Sequence, residues 1–150
     1  PINQYAIGIE STRTPAEGRQ MIHCSINLDQ TDEKGNRADF VMALVEYIPC
    51  KDFSPYYDHQ YTFMFDISAS AGVNAVQLEI KNKEQRKLID QRIPTSEEIK
   101  TIRIDLQCVE NREQWKEISE ICFTVFPRYM DKQQGSFTVI GCELVEKSAH

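Results

Sequence analysis

Aromatic rings and one imidazole lie in polar segments of this 150-residue sequence, where a ring can be displayed to a ligand: Trp115, Tyr56, Tyr57, His59 and Tyr129. Arg128 precedes the last of them, and its planar guanidinium can donate two parallel hydrogen bonds to vicinal hydroxyls or to a carboxylate. A flat ring beside planar hydrogen-bonding groups suits a ligand that presents apolar C–H faces together with hydroxyls. Sugars have this chemistry, so these residues are the first candidates for a binding site.

Each of these rings also has a competing interpretation, in which it folds back over the edge of the hydrophobic core. For Trp115 the two interpretations carry equal weight, because tryptophan is usually highly buried. The tyrosines are the better candidates for display to a ligand.

Two extended runs add polar side chains that alternate with apolar ones. Gln77 and Glu79 do so in one run, and Arg103 and Asp105 in another. Successive side chains of a strand point to opposite faces, so these four point outward and can line a concave sheet face that contacts the ligand. Glu79 and Asp105 could also form a pair of carboxylates like that of a glycosidase. A solvated or ligand-bonding face is the preferred interpretation, because outward charges are usual on strands.

The sequence has no recognised catalytic motif, since GxSxG, HExxH and a glycine-rich phosphate loop are all absent. We therefore expect no enzymatic activity, with a small hydrolase as the remaining alternative. No cofactor is expected. The five cysteines form no CxxC pair, so zinc is not predicted. The acids between Asp29 and Asp39 lack EF-hand spacing, so a structural calcium ion stays open but is not favoured.

Composition limits the partners and the compartment. A net charge of −6 with scattered Lys and Arg argues against nucleic acid, whose phosphates need a clustered basic surface. No apolar run reaches the roughly 18 residues of a membrane helix, so no membrane partner is predicted. Several cysteines lie in apolar runs, where free thiols are commonly buried. We therefore expect mostly free thiols and a reducing compartment, although a parent protein could still be secreted.

Period-two alternation recurs along the chain and predicts strands separated by turns. The cleanest run is Tyr61 to Ile67, whose alternate aromatic and aliphatic residues point inward. Pro49 is expected to end the run before it, and the capping-box spacing of Thr95 and Glu98 predicts at most one helical turn. The predicted strands cover residues 2–10, 21–28, 40–48, 61–67, 76–80, 85–91, 102–106, 118–125 and 136–145, the last two forming a closing hairpin.

Many strands with almost no helical periodicity are typical of a two-sheet sandwich or a barrel. We predict the sandwich, an all-β antiparallel fold of eight or nine strands. Because no repeat or linker divides the sequence, residues 1–150 are expected to form a single domain. The chain begins at Pro1, and we expect it to be excised from a larger protein.

Five segments of the second half of the chain carry a resemblance to a known family. They are Tyr61-Thr-Phe-Met-Phe-Asp-Ile-Ser-Ala, Val76-Gln-Leu-Glu-Ile, Ile99 to Leu106, Ile118-Ser-Glu-Ile-Cys-Phe-Thr-Val and Gly135-Ser-Phe-Thr-Val-Ile-Gly-Cys-Glu-Leu. From Tyr61 to the C-terminus this pattern resembles jelly-roll carbohydrate-binding modules of the galactose-binding-domain-like type. The last strand of that family often carries an Asp that helps to hold a structural calcium ion. Gly141 or Cys142 stands in that place here.

The resemblance implies a jelly roll that binds an oligo- or polysaccharide without catalysis. It further implies an appendage of a glycan-processing enzyme, able to contact the catalytic domain of its parent protein. The alternative is a structural or protein-interaction β-sandwich without sugar binding, because sandwich folds host many unrelated functions. An aromatic ring that stands open beside polar groups would favour the first interpretation.

Overall fold

Eight strands joined by short helical turns build the fold, in a computed structural model that describes residues 21–29, 31, 33–37, 40–109 and 111–146. The strands are β1 (Met21–Asn27), β2 (Val41–Lys51), β3 (Tyr61–Ala69), β4 (Ala75–Asn82), β5 (Lys87–Pro94), β6 (Lys100–Asp105), β7 (Ile118–Val125) and β8 (Gln134–Glu146). The predicted strand at residues 2–10 lies outside the described residues.

Helical structure is limited to single turns in the connections. The α-helix α1 covers Ser54–Asp58, and 3-10 turns cover Leu106–Cys108, Arg112–Trp115 and Pro127–Tyr129. None of the helices in the described part of the chain has the length and apolar character needed to cross a bilayer.

The strands form two antiparallel four-stranded sheets. The first has the order β1-β8-β3-β6 and is named here the β1 sheet; the second has the order β2-β7-β4-β5 and is named the β2 sheet. Only β4 and β5 are consecutive strands of one sheet, and every other connection passes from one sheet to the other. This is the strand order of a jelly roll. The predicted all-β antiparallel sandwich of eight or nine strands is therefore confirmed.

The predicted closing hairpin is wrong, because β7 and β8 belong to different sheets. β7 lies between β2 and β4, whereas β8 lies between β1 and β3. The turn at Pro127–Tyr129 carries the chain across the sandwich instead of reversing it within one layer. Alternation of side chains indicates that a segment is a strand. Two successive strands alternate in the same way whether they pair within one sheet or lie in different sheets.

Two local expectations also differ from the structure. Pro49 lies inside β2, which continues to Lys51. Proline is tolerated there because β2 is an edge strand, so one side of its backbone needs no ladder hydrogen bonds. Thr95 caps no helix, since its hydroxyl donates to the carbonyl of Val73 at 2.9 Å and its N–H to that of Asn74 at 3.0 Å.

The hydrophobic core lies between the two sheets. Phe63, Phe65 and Ile67 of β3 point inward as predicted, with exposures of 3% or less. The Phe65 ring meets that of Phe123 from β7 edge to face, at a centroid distance of 5.3 Å. Contacts of this kind join the layers, so the sheets are held face to face by apolar side chains from both.

Truncation of a core aliphatic residue should destabilise the protein far more than the same truncation at the surface. Ile80 is 0% exposed and Ile99 is 61% exposed. We expect Ile80→Ala to lower the free energy of unfolding by about 2–5 kcal/mol, because it removes buried methyl groups and leaves a cavity. Ile99→Ala should change it by no more than about 0.5 kcal/mol. Urea titration followed by circular dichroism measures both, and equal losses would contradict this placement of the core.

Candidate functional site

Alternating side chains of β4 create a polar row on the outer face of the β2 sheet. Because Val76, Leu78 and Ile80 enter the core, Gln77 and Glu79 must point to the opposite side. The neighbouring hairpin strand adds to the same face. We name this surface the polar face, and it comprises Gln77, Glu79, Lys81, Lys87, Asp90 and Arg92.

The register of the β4–β5 hairpin sets which polar groups meet. Gln77 lies opposite Arg92, and Glu79 lies opposite Asp90. Directly opposite residues of an antiparallel pair have side chains about 4.5–5.5 Å apart on the same face. The hairpin thus brings two acids, an amide and a guanidinium into one patch.

The turn after β7 builds a wall at one end of the polar face. Phe126, Arg128 and Tyr129 rise beside Gln77, and the backbone N–H of Asn74 donates to the carbonyl of Tyr129 at 2.8 Å. Wall and sheet together enclose a groove of about 460 Å³. Its lining is formed by Gln77, Glu79, Lys87, Asp90, Arg92, Phe126, Arg128 and Tyr129.

A chain of hydrogen bonds runs along the groove. The Tyr129 hydroxyl donates to Gln77 Oε1 at 2.7 Å, and Gln77 Nε2 donates to Asp90 Oδ1 at 2.7 Å. Tyr129 therefore fixes which end of the Gln77 amide is the donor. Each of these groups keeps further donor or acceptor positions for a ligand.

Glu79 is the most buried charge of the polar face, at 6% exposed. Its Oε2 atom lies 3.0 Å from Lys87 Nζ and 3.9 Å from Lys81 Nζ. The contact with Glu79 raises the pKa of Lys87 against the opposing effect of burial, so this ammonium stays charged at neutral pH. Lys81 in turn lies 3.5 Å from Glu120 on β7. The carboxylate of Glu79 is thus neutralised by two lysines.

Cys122 on β7 lies opposite Glu79 and therefore on the same face of the sheet. It is 0% exposed, and burial raises the pKa of its thiol to about 12. A thiol with such a pKa is protonated at neutral pH and is a poor nucleophile. Cys122 is therefore a buried, protonated thiol and not a reactive group.

Arginine side chains cover the rings of the wall. The Arg128 guanidinium carbon lies 4.2 Å from the Phe126 ring centre and 5.0 Å from that of Tyr129. Arg92 lies 5.4 Å from the Tyr129 ring centre. Cations are attracted to ring faces by the ring quadrupole. The faces of these rings are thus occupied by guanidinium groups, and Tyr129 is only 8% exposed.

Trp115, predicted as a binding ring, is buried instead. It is 0% exposed, and its ring stacks on that of Phe53 with a centroid distance of 6.4 Å and an interplanar angle of 7°. The turn that carries it is anchored by Asn111, whose side chain accepts from the N–H of Glu113 at 3.0 Å, and by the Arg112–Asp58 ion pair at 2.7 Å. The binding role predicted for Trp115 is wrong, because the turn folds its indole inward.

Tyr56, Tyr57 and His59 lie with Trp115 at the far end of the sandwich from the groove. At that end Asn82, the last residue of β4, donates through its side chain to Gln114 at 3.1 Å. Tyr56 packs against Phe53 and Tyr61, with centroid distances of 5.8 and 5.2 Å. The two tyrosines are half-buried and His59 is exposed. None of the three reaches the polar face.

Arg103 and Asp105 are on the other sheet from Gln77 and Glu79. They lie on β6 of the β1 sheet, where Asp105 accepts a hydrogen bond from the Thr62 hydroxyl at 2.9 Å. The prediction that all four side chains line one concave face is wrong, since the two strands lie in different layers. Glu79 and Asp105 point away from each other across the sandwich and cannot flank one glycosidic bond.

The structure adds four residues that sequence reasoning missed. Lys87, Asp90, Arg92 and Phe126 line the groove beside the predicted Gln77, Glu79, Arg128 and Tyr129. A signal for Asp90 existed in the predicted hairpin, since the predicted strand 85–91 contains it, whereas Arg92 follows directly after that range. Phe126 gave no such signal, because it follows directly on a strand and precedes a proline.

Two properties of the described residues bear on ligand binding: the exposure of their aromatic rings and the grouping of their metal-binding side chains. No Phe, Tyr or Trp side chain among them is fully exposed, and those nearest the surface, such as Tyr47 and Tyr57, are half-buried. The same residues contain no cluster of three or more His, Cys, Asp or Glu side chains placed to hold a metal ion.

All five cysteines are free, which confirms the prediction of mostly free thiols.

Solved structures of carbohydrate-binding modules share the fold of this chain. A family 30 carbohydrate-binding module superposes with a TM-score of 0.57 at 15% identity, over 91% of this chain and 72% of that chain. A CBM4 structure gives 0.54 at 10% identity, over 95% and 93%. A mutant of a family 29 module complexed with mannohexaose gives 0.51 at 15% identity, over 94% and 77%.

These similarities confirm the predicted resemblance at the level of the jelly-roll fold, over nearly the whole chain. Neither the family models nor the curated proteins with which the sequence was compared match it.

The burial of Trp115 can be tested directly, because it is the only tryptophan of the chain. We expect iodide to quench the native fluorescence weakly, since a fully enclosed indole is out of reach of a charged quencher, and to quench it strongly after unfolding in guanidinium. Stern–Volmer plots of both states give the comparison. Strong quenching in the native state would mean that the indole is displayed, as first predicted.

Proposed function

We propose that this chain is a non-catalytic carbohydrate-binding module and that its glycan lies in the groove over the polar face. The observation that carries the proposal is the chain of hydrogen bonds from Tyr129 through Gln77 to Asp90, flanked by arginine side chains. It presents fixed planar donors and acceptors along one wall of an open groove. Sugar hydroxyls, which both donate and accept, match such a surface.

The network orients its groups before a ligand arrives. Gln77 uses one acceptor position for Tyr129 and one N–H for Asp90, so its second N–H and second lone pair are left for a ligand. A side chain that is already held in one orientation loses less entropy on binding than a free one. Gln77 is therefore the residue on which recognition of hydroxyls centres.

Binding by this groove rests on hydrogen bonds more than on stacking. Arg128 and Arg92 cover the faces of the wall rings, and Trp115 is enclosed at the other end of the molecule. Each neutral hydrogen bond contributes about 1 kcal/mol net. The loss of translational and rotational freedom on association offsets part of this gain. We therefore expect weak binding per site.

The structural neighbours support this assignment. Modules of families 4, 29 and 30 share the fold, and the family 29 structures include complexes with cellulohexaose and mannohexaose. Because a jelly roll can host unrelated functions, we base the proposed site on the groove and not on the fold. We further propose that the module is an appendage of a glycan-processing enzyme, which it would hold close to its substrate.

Removal of the Gln77 amide should weaken glycan binding at least tenfold. Gln77→Ala removes two ligand positions and leaves the Tyr129 hydroxyl and Asp90 without their partner. Gln91→Ala is the matched control, since Gln91 is on the same hairpin, exposed, and opposite the core residue Leu78. Isothermal titration against oligosaccharides selected on a glycan array measures both variants. Equal weakening by both, or no binding of any glycan by the wild type, would contradict the proposed function.

A protein-interaction role is the second candidate, and it is favoured by one observation. Ile48 on edge strand β2 is 83% exposed. Edge strands with exposed apolar side chains are where chains pair. If this face is an interface, the protein should self-associate with rising concentration in sedimentation velocity, and Ile48→Lys should abolish the association. A monomer at all concentrations would leave this candidate without support.

A further inference from the structure

We propose that the glycan is acidic, and that its anionic group, a uronic acid carboxylate or a sulfate ester, binds between Arg92 and Arg128. This inference rests on the proposed function and specifies its ligand. It is carried by two guanidinium groups that converge on the Tyr129 ring, at 5.4 and 5.0 Å, on the wall of the groove.

The acids of the groove are already engaged. Glu79 is held by Lys87 at 3.0 Å, and Asp90 accepts from Gln77 at 2.7 Å and lies 4.0 Å from Lys87. In the part of the chain that the structure describes, Arg92 and Arg128 form no ion pair, and their contacts are with aromatic rings. Two cations at one end of the groove are thus left without a counter-charge.

The charge balance of the groove differs from that of the chain. The lining contains three cations, Lys87, Arg92 and Arg128, and two carboxylates, Glu79 and Asp90, which leaves a net charge of +1. The whole chain has a net charge of −6. A positive groove in an acidic protein attracts anions locally, whereas the rest of the surface repels them.

Contact with aromatic rings also holds the arginine side chains in an orientation that suits the binding of an anion. A guanidinium that lies over a ring still has its N–H groups, which point outward in its own plane and can form a fork with two oxygens. Arg128 lies over Phe126 at 4.2 Å, and this contact restricts its side chain. Hydrogen bonds between ionised partners are roughly twice as strong as neutral ones. A carboxylate or sulfate therefore uses this pair better than a hydroxyl does.

The experiment compares glycans that carry an anionic group with counterparts in which that group is esterified or removed. Polygalacturonate and its methyl ester form one pair, and a sulfated galactan and its desulfated form make the second. We expect one charged member to bind at least tenfold more tightly than its neutral partner, with the ratio falling as NaCl rises from about 0.05 to 0.5 M, because salt screens exposed charges. The pair that responds identifies the anion as carboxylate or sulfate.

Arginine variants locate the anion site. Arg128→Gln and Arg92→Gln should each reduce the charged-to-neutral ratio at least threefold, whereas Arg128→Lys, which keeps the charge and loses the fork, should reduce it less. Arg103→Gln on the β1 sheet makes the same change of charge away from the groove and should have no effect. Melting temperatures within about 2 °C of the wild type show that the variants are folded.

The outcomes separate this inference from the proposed function. Equal binding of charged and neutral glycans, still lost in Gln77→Ala, would overturn the acidic ligand and leave the glycan-binding groove standing. Charge preference that persists in both Arg→Gln variants would likewise overturn the anion site. Failure of every glycan to bind would overturn the proposed function and this inference with it.

Discussion

The antiparallel register of β4 between β7 and β5 is the constraint on which the groove depends. Val76, Leu78 and Ile80 are fully buried, and burial of each side chain contributes about 1.5–3 kcal/mol. A slip of one residue would expose these three and bury Gln77 and Glu79 in the core. Hydrophobic packing on the inside of the strand therefore determines which polar groups stand outside, although it contacts none of them.

The turn between β4 and β5 holds that register. Asn82 is 3% exposed, and its side-chain oxygen accepts from the backbone N–H groups of Glu84 and Arg86 at 3.1 and 3.0 Å. A fixed turn fixes the pairing of a hairpin, so Asp90 and Arg92 come to lie beside Glu79 and Gln77. The polar face is in this sense a product of local structure, since its main parts come from a single hairpin.

In the part of the chain that the structure describes, aromatic residues pack the core or carry arginine side chains, and none is fully exposed. At one end of the sandwich Trp115, Phe53 and Tyr56 close the core beneath α1. At the other end Phe126 and Tyr129 carry arginine side chains. The rings thus position the cations of the groove, and in the proposed site charge and hydrogen bonding take the place of ring stacking.

The strands, the inward pattern of β3 and the all-β sandwich were all predicted by the sequence, because period-two alternation is a local property of the backbone. The sequence also identified Gln77, Glu79, Arg128 and Tyr129 as candidates for one site. Which strands share a layer depends on tertiary contacts, and the observed layers separate Arg103 and Asp105 from the groove and put β7 and β8 in different sheets. The tertiary structure also determines that Trp115 is buried, since an indole is buried only where distant residues such as Phe53 pack against it. Alternation shows which side chains share a face of a strand, whereas the pairing of strands into sheets depends on contacts between residues far apart in the chain.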